Sequence, residues 1–154
     1  MKKHLSHEFF MQLAYNQAQL ANKIGEVPIG AILVKDDEVI SSFHNQTLTQ
    51  SDPTAHAEML VIRQASKILK NHRLVGTKLY VTMEPCMMCL GAIVQARIAE
   101  IIYACNDLRV GVFSKECYHL NKNINHNLKV TSGIMVSECS ELLKKFFLER
   151  RNKK

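Results

Sequence analysis

Residues 29–43, "IGAILVK", "DD" and "EVISSF", constrain the fold of this chain most. They read as strand, tight two-residue turn, strand, so they form a hairpin whose two strands pair antiparallel. Two more segments rich in β-forming residues follow, "KLYVTM" at 78–83 and "AEIIYAC" at 99–105, and "LKVTSGI" at 128–134 reads as a last strand. Helix-length segments separate these later strands, so they are free to run parallel.

The helical segments carry their own signals. Phe10, Leu13, Ala14, Gln17, Ala21 and Ile24 recur at helical spacing over residues 7–24, and "VPIG" ends that pattern. Asp52-Pro53 opens a second helix, with Asp52 or Thr54 as N-cap and Met59, Leu60, Ile62 and Ala65 as its apolar positions to about residue 70. Glu84-Pro85 opens a third, to about residue 96. The segment "SECSELLKKFFLERR" closes the chain as a helix with Cys139, Leu142, Leu143, Phe146 and Phe147 inward. Residues 106–127 give no clear pattern beyond a helical turn near 116–120. A hairpin followed by alternating helices and strands implies an α/β protein: a three-layer α/β/α arrangement around a five-stranded mixed sheet.

At 154 residues, the chain is expected to form one domain spanning 1–154, with room for a substantial core. Hydrophobic residues make up 47% and charged residues 22%, a globular balance. No run of eighteen apolar residues signals a membrane span. The opening "MKKHLSHEFFMQ" lacks an apolar stretch after its lysines, so no export signal is expected. Five cysteines without such a signal suit a reducing cytoplasm and free or metal-bound thiols. Cys105, Cys117 and Cys139 are scattered and read as small buried hydrophobes. The net charge is +6, and "KKFFLERRNKK" carries six of the cations against Glu149 alone. Such a basic end suits a polyanion, and equally a solvated helix terminus.

The chemistry concentrates in "TAHAEM" and "EPCMMC". His56 and Glu58 lie two apart, which on the flank of a helix would point them roughly 200° apart. In the first turn after a loop, side chains fan around the helix end, and one pocket there can be reached by both. Cys86 and Cys89, three apart at another helix start, lie on one face, where free amides and the helix dipole favour thiolates. Two thiolates and an imidazole suit tetrahedral Zn²⁺, and three protein ligands with a vacant vertex is the pattern of a catalytic rather than a structural zinc. H-x-E alone says little in a chain with seven histidines; its conjunction with P-C-x-x-C is specific. Two other readings stay open on these residues: a redox C-x-x-C pair, and a closed zinc site completed by His44, Cys105 or His119. His4, His7, His72, His119 and His126 read as surface histidines.

These residues resemble the zinc-dependent cytidine-deaminase superfamily, whose signature is H-x-E with P-C-x-x-C. The longer stretches "EVPIGAILV", "HNQTL", "DPTAHAEM", "LYVTMEPCMMCLGAI" and "FFLERR" resemble its bacterial tRNA-specific adenosine deaminases, from about Glu8 to Arg151. The resemblance implies a cytidine deaminase-like fold and one Zn²⁺ per subunit held by His56, Cys86 and Cys89. It implies hydrolytic deamination of adenosine to inosine at the wobble position of a tRNA anticodon. Glu58, not a metal ligand, would move protons between the attacking water, ring N1 and the departing ammonia.

It also implies substrate contacts: Val27 and Pro28 under the base, Asn45 hydrogen-bonded to the nucleotide, the Ala57 amide on the base edge, Asp107 near the ribose, and Phe147 and Arg150 on the RNA loop. A homodimer and a cytoplasmic location are expected with it. The chain departs from the family in "CND" and "LRVGVFSK", where Val112, Phe113 and Lys115 are bulky, and in His44, where an aromatic residue is expected. Two rivals are a deaminase of a free base or nucleoside such as guanine or cytosine, and a zinc-stabilised RNA-binding module without catalysis.

Overall fold

The structure, a computed structural model, describes residues 4–115, 118 and 122–154. The elements are α1 (His7–Lys23), β1 (Gly30–Lys35), β2 (Glu38–His44), α2 (Ala57–Leu69), β3 (Thr77–Met83), α3 (Met87–Gln95), β4 (Glu100–Cys105), β5 (Lys129–Ser132) and α4 (Val136–Asn152). Asp36 and Asp37 both take positive φ, 50° and 62°, the geometry that lets a two-residue turn follow the twist of its strands. The sheet order is β2-β1-β3-β4-β5. β1 runs antiparallel to both β2 and β3, and β3, β4 and β5 run parallel. The mixed five-stranded sheet expected from the sequence is therefore present.

Alternation along the strands divides the core in two. β1 sends Ala31 and Leu33, β3 sends Leu79 and Val81, and β4 sends Ile101 and Tyr103 toward α2 and α3. Their neighbours Ile32, Val34, Tyr80, Ile102 and Ala104 pack against α1 and α4. Strands buried on both faces need apolar side chains at consecutive positions. Each fully buried Ile or Leu contributes about 1.5–3 kcal/mol.

Ser6 caps α1 by accepting the Phe9 amide at 3.2 Å. The buried stripe of α1 is Phe10, Met11, Ala14, Ala18 and Ala21, rotated from the expected one, and Ile24 is exposed beyond the helix end. The cause is close packing on β1: a Cβ on Gly30 would collide with the backbone of Ala14 and Ala18.

Both central helices begin later than the sequence suggests. Asp52 does not cap α2; its carboxylate accepts the Thr54 amide and hydroxyl, both at 2.8 Å, in a local turn that delays the helix to Ala57. α3 starts at Met87, not at Glu84-Pro85. In α4, Cys139, Leu143 and Phe146 are buried, while Leu142 and Phe147 are half-buried. The helical turn expected near 116–120, and with it Cys117 and His119, lies outside the described residues except for Tyr118.

Candidate active site

The carboxyl ends of β3 and β4 open into a cleft of about 230 Å³, the usual place for a ligand in a sheet of this type. The N-termini of α2 and α3 converge on it. His56 is the N-cap of α2 and Cys86 the N-cap of α3, both with extended backbone, at φ −67°, ψ 150° and φ −84°, ψ 176°. Neither side chain makes a capping hydrogen bond. They turn to each other instead: His56 Nδ1 lies 3.7 Å from Cys86 Sγ and 3.5 Å from Cys89 Sγ. The two-residue offset is thereby explained. His56 stands one residue before the helix and Glu58 in its first turn, so the two are not held on opposite flanks of one cylinder.

Protons within the cluster are shared. The Cys89 thiol, then His56, hydrogen-bond to Cys86 and bring it down to about 4 against the effect of burial. The same bond and burial push Cys89 far up. The Cys86 thiolate raises His56. Burial raises Glu58, 4% exposed, to about 7, which leaves it able both to take and to give a proton near neutrality.

The three donor atoms of His56, Cys86 and Cys89 lie within 4.8 Å of one another, and among the described residues no further histidine, cysteine or carboxylate joins them. One imidazole nitrogen and two sulfurs not linked in a disulfide are a fitting donor set for a thiophilic divalent cation. Cys105 is turned away, with its thiol donating to the Thr82 carbonyl at 3.2 Å, and His44 Nδ1 meets the Asn45 carbonyl at 2.9 Å. Neither completes a closed site, and His119 is outside the described residues.

The remaining expected residues divide. Val27, Asn45, Asp107 and Phe147 line the cleft with His56 and Glu58. Asn45 is buried and donates Nδ2 to Thr47 at 3.2 Å. Asp107 accepts the Arg109 amide at 2.9 Å. Pro28 and Ala57 are buried and are not among the cleft-lining side chains. Arg150 lies outside the cleft, donating to the Gly25 carbonyl at 3.0 Å and lying 4.8 Å over the Phe146 ring.

Ile29, Thr47, Met83, Glu84, Arg109 and Val110 also line the cleft, and no sequence motif marks them as site residues. The nearest sequence signal for Arg109 and Val110 is their place just after Asp107, in the stretch read as a departure. Within that stretch Val112 and Phe113 face the core, and Lys115 is exposed. Val112 is 1% exposed, and Phe113 stacks on Tyr103 with ring centroids 5.8 Å apart. Val112 and Phe113 therefore do not narrow the cleft.

Arg109 and Phe147 also line two grooves outside the cleft. One, of about 310 Å³, adds Asn106, Ser140, Lys144 and Arg151. The other, of about 440 Å³, adds Arg150, Arg151 and Lys154. The cleft thus opens onto a cationic surface.

Comparison with known proteins agrees with this architecture. A family model described as MafB19-like deaminase matches residues 5–151. The tRNA-specific adenosine deaminase of Haemophilus influenzae is 41% identical over 149 residues, covering 96% of this chain and 86% of that protein. A solved structure from studies of A-to-I editing by tRNA:A34 deaminases at the wobble position superposes with a TM-score of 0.84 at 44% identity, over 88% of this chain and 99% of its own. The guanine deaminase of Bacillus subtilis is similar at a TM-score of 0.65 and 30% identity, over 96% and 95% of the two chains. By descent and by fold, the chain belongs to the tRNA-specific adenosine deaminase family.

Proposed function

We propose that this chain deaminates adenosine to inosine at the wobble position of a tRNA anticodon loop, with one Zn²⁺ held by His56, Cys86 and Cys89. The observation that carries the reading is a buried glutamate, Glu58, beside a His/Cys/Cys cluster in a nucleobase-sized cleft. Zn²⁺ in such a site supplies an acidified water as nucleophile.

Glu58 takes a proton as the water oxygen adds to C6 of adenine and delivers it to ring N1. It carries another to the amino group, which leaves as ammonia. Water and adenosine thus become inosine and ammonia. Val27 and Ile29 give the cleft an apolar lining, Asn45 offers a polar amide to the nucleotide, and Asp107 lines the same cleft. A stacked base cannot enter a cleft of this size, so the substrate must present an unpaired, splayed-out nucleotide. The grooves of Arg109, Arg150, Arg151 and Lys154 suit the flanking phosphates.

This continuous cationic surface disfavours a free base or nucleoside as substrate. We place the enzyme in the cytoplasm; no helix of the described chain is long and apolar enough to cross a membrane. We also propose a homodimer. Exposed Met87, with the groove beside Leu90, Val94 and Ile124, offers a second copy an apolar surface.

The test is an anticodon stem-loop RNA with adenosine at the wobble position, incubated with wild type and Glu58→Ala. Wild type is expected to form inosine and ammonia one for one. The variant is expected to lose about 10²–10⁴-fold in rate, the worth of a general acid–base, with its metal retained. Turnover of free guanine without turnover of the RNA would reject the reading.

A further inference from the structure

Glu84 is 3% exposed, and its carboxylate is filled with donors from a segment 23–30 residues downstream. Oε1 accepts the Asp107 amide at 3.1 Å and the Ser114 hydroxyl at 2.7 Å. Oε2 accepts the Phe113 and Ser114 amides, both at 2.8 Å. Gly111 is where the chain passes closest; a Cβ there would overlap the carboxyl group. Backbone bonds reinforce the join, from the Glu84 amide to the Cys105 carbonyl at 2.9 Å and from the Val112 amide to the Pro85 carbonyl at 3.3 Å. The segment so held carries Asp107, Arg109 and Val110 to the cleft. Two residues after Glu84, the same turn presents Cys86. None of the hydrogen bonds to the Glu84 carboxylate comes from His56, Cys86 or Cys89.

We propose that Glu84 is a positioning residue for substrate binding. Its carboxylate preforms the 107–114 wall against the turn that bears Cys86, so the nucleotide meets a finished wall. Without it, the incoming nucleotide would have to order that segment itself, and the cost would appear as weaker binding. The inference rests on the deaminase reading above. A purely structural role would act differently, by lowering the fraction of active protein and so kcat, with KM unchanged.

Glu84→Gln is the direct test, because it keeps the size and turns an NH₂ toward amide donors. With the stem-loop RNA as substrate, KM is expected to rise about tenfold, the worth of roughly one charge-assisted hydrogen bond, while kcat stays within about threefold. Metal content should match wild type, and amide exchange should quicken at Phe113 and Ser114 but not in α2. Gly111→Ala, which pushes on the same carboxylate, should give the same pattern. If Glu84→Gln does not fold, Ser114→Ala carries the test, with KM raised several-fold at constant kcat. A KM within twofold of wild type, or a fall in kcat alone, overturns the proposal. Failure of wild type to form inosine would instead reject the functional reading.

Discussion

Glu58 and Glu26 are both buried carboxylates, yet their surroundings move them in opposite directions. Burial raises Glu58 from 4.5 to about 7. Burial also acts upward on Glu26, but the Thr49 amide and hydroxyl and the Leu48 amide outweigh it and hold Glu26 below the usual carboxylate range. The signs follow by linkage. A raised carboxyl contributes stability that is full below its unfolded value and is lost as pH rises through about 7. A depressed one contributes stability that is present above its unfolded value and is lost as pH falls through its folded value. In metal-free protein, Glu58→Gln should therefore be more stable than wild type at pH 8, by on the order of a few kcal/mol, and equal to it near pH 4. Glu26→Gln should lose about 1–3 kcal/mol at pH 7, with the gap closing in acid. Urea unfolding across pH checks both, and parallel curves for the three proteins would contradict both assignments. That Glu58 would be better tolerated as an amide is what a site built for proton transfer costs the fold.

At the scale of elements, close packing decides what is tolerated. α1 rests on β1 through Gly30, and Gly30→Ala should cost about 1–3 kcal/mol by overpacking, lowering Tm by roughly 2–12 °C. Gly91, within α3, has no atom of its own chain within 4 Å of a Cβ built on it, so in the monomer Gly91→Ala should gain about 0.5–1 kcal/mol of stability. Thermal melts of the two variants should move in opposite directions. The elements themselves were legible because each signal was local: the Asp36-Asp37 turn, the β-rich segments, the helical recurrence of Phe10, Ala14 and Ala21. The helix starts were less so. Asp52 looks like a cap, but it closes a turn on Thr54, and the cap positions fall to His56 and Cys86, whose side chains serve the cluster. Glu84 read only as a helix opener because its partners lie 23–30 residues downstream, and no local pattern reveals such a bond.

Over the whole molecule, two helix ends, two strand ends and one basic helix meet at a single edge of the sheet. That His56, Glu58, Cys86 and Cys89 come together was readable from spacing and resemblance. The cleft walls were readable only in part, since Arg109 and Val110 reach the site through the folded course of the segment after β4. The cationic grooves predict a salt-dependent interaction with RNA. If Arg109, Arg150, Arg151 and Lys154 each meet a phosphate, log affinity should fall with log salt at a slope of about −3, and Arg151→Ala should flatten it by about 0.7. A slope near zero would remove the phosphate contacts from the mechanism. The most direct measurement is to strip the protein with a chelator and titrate Zn²⁺ back while following inosine formation in the stem-loop RNA. Activity should rise linearly and level off at one equivalent per chain, and Cys86→Ala should abolish the rise. Full turnover in the stripped protein, or no dependence on added metal, would contradict a catalytic metal centre at His56, Cys86 and Cys89.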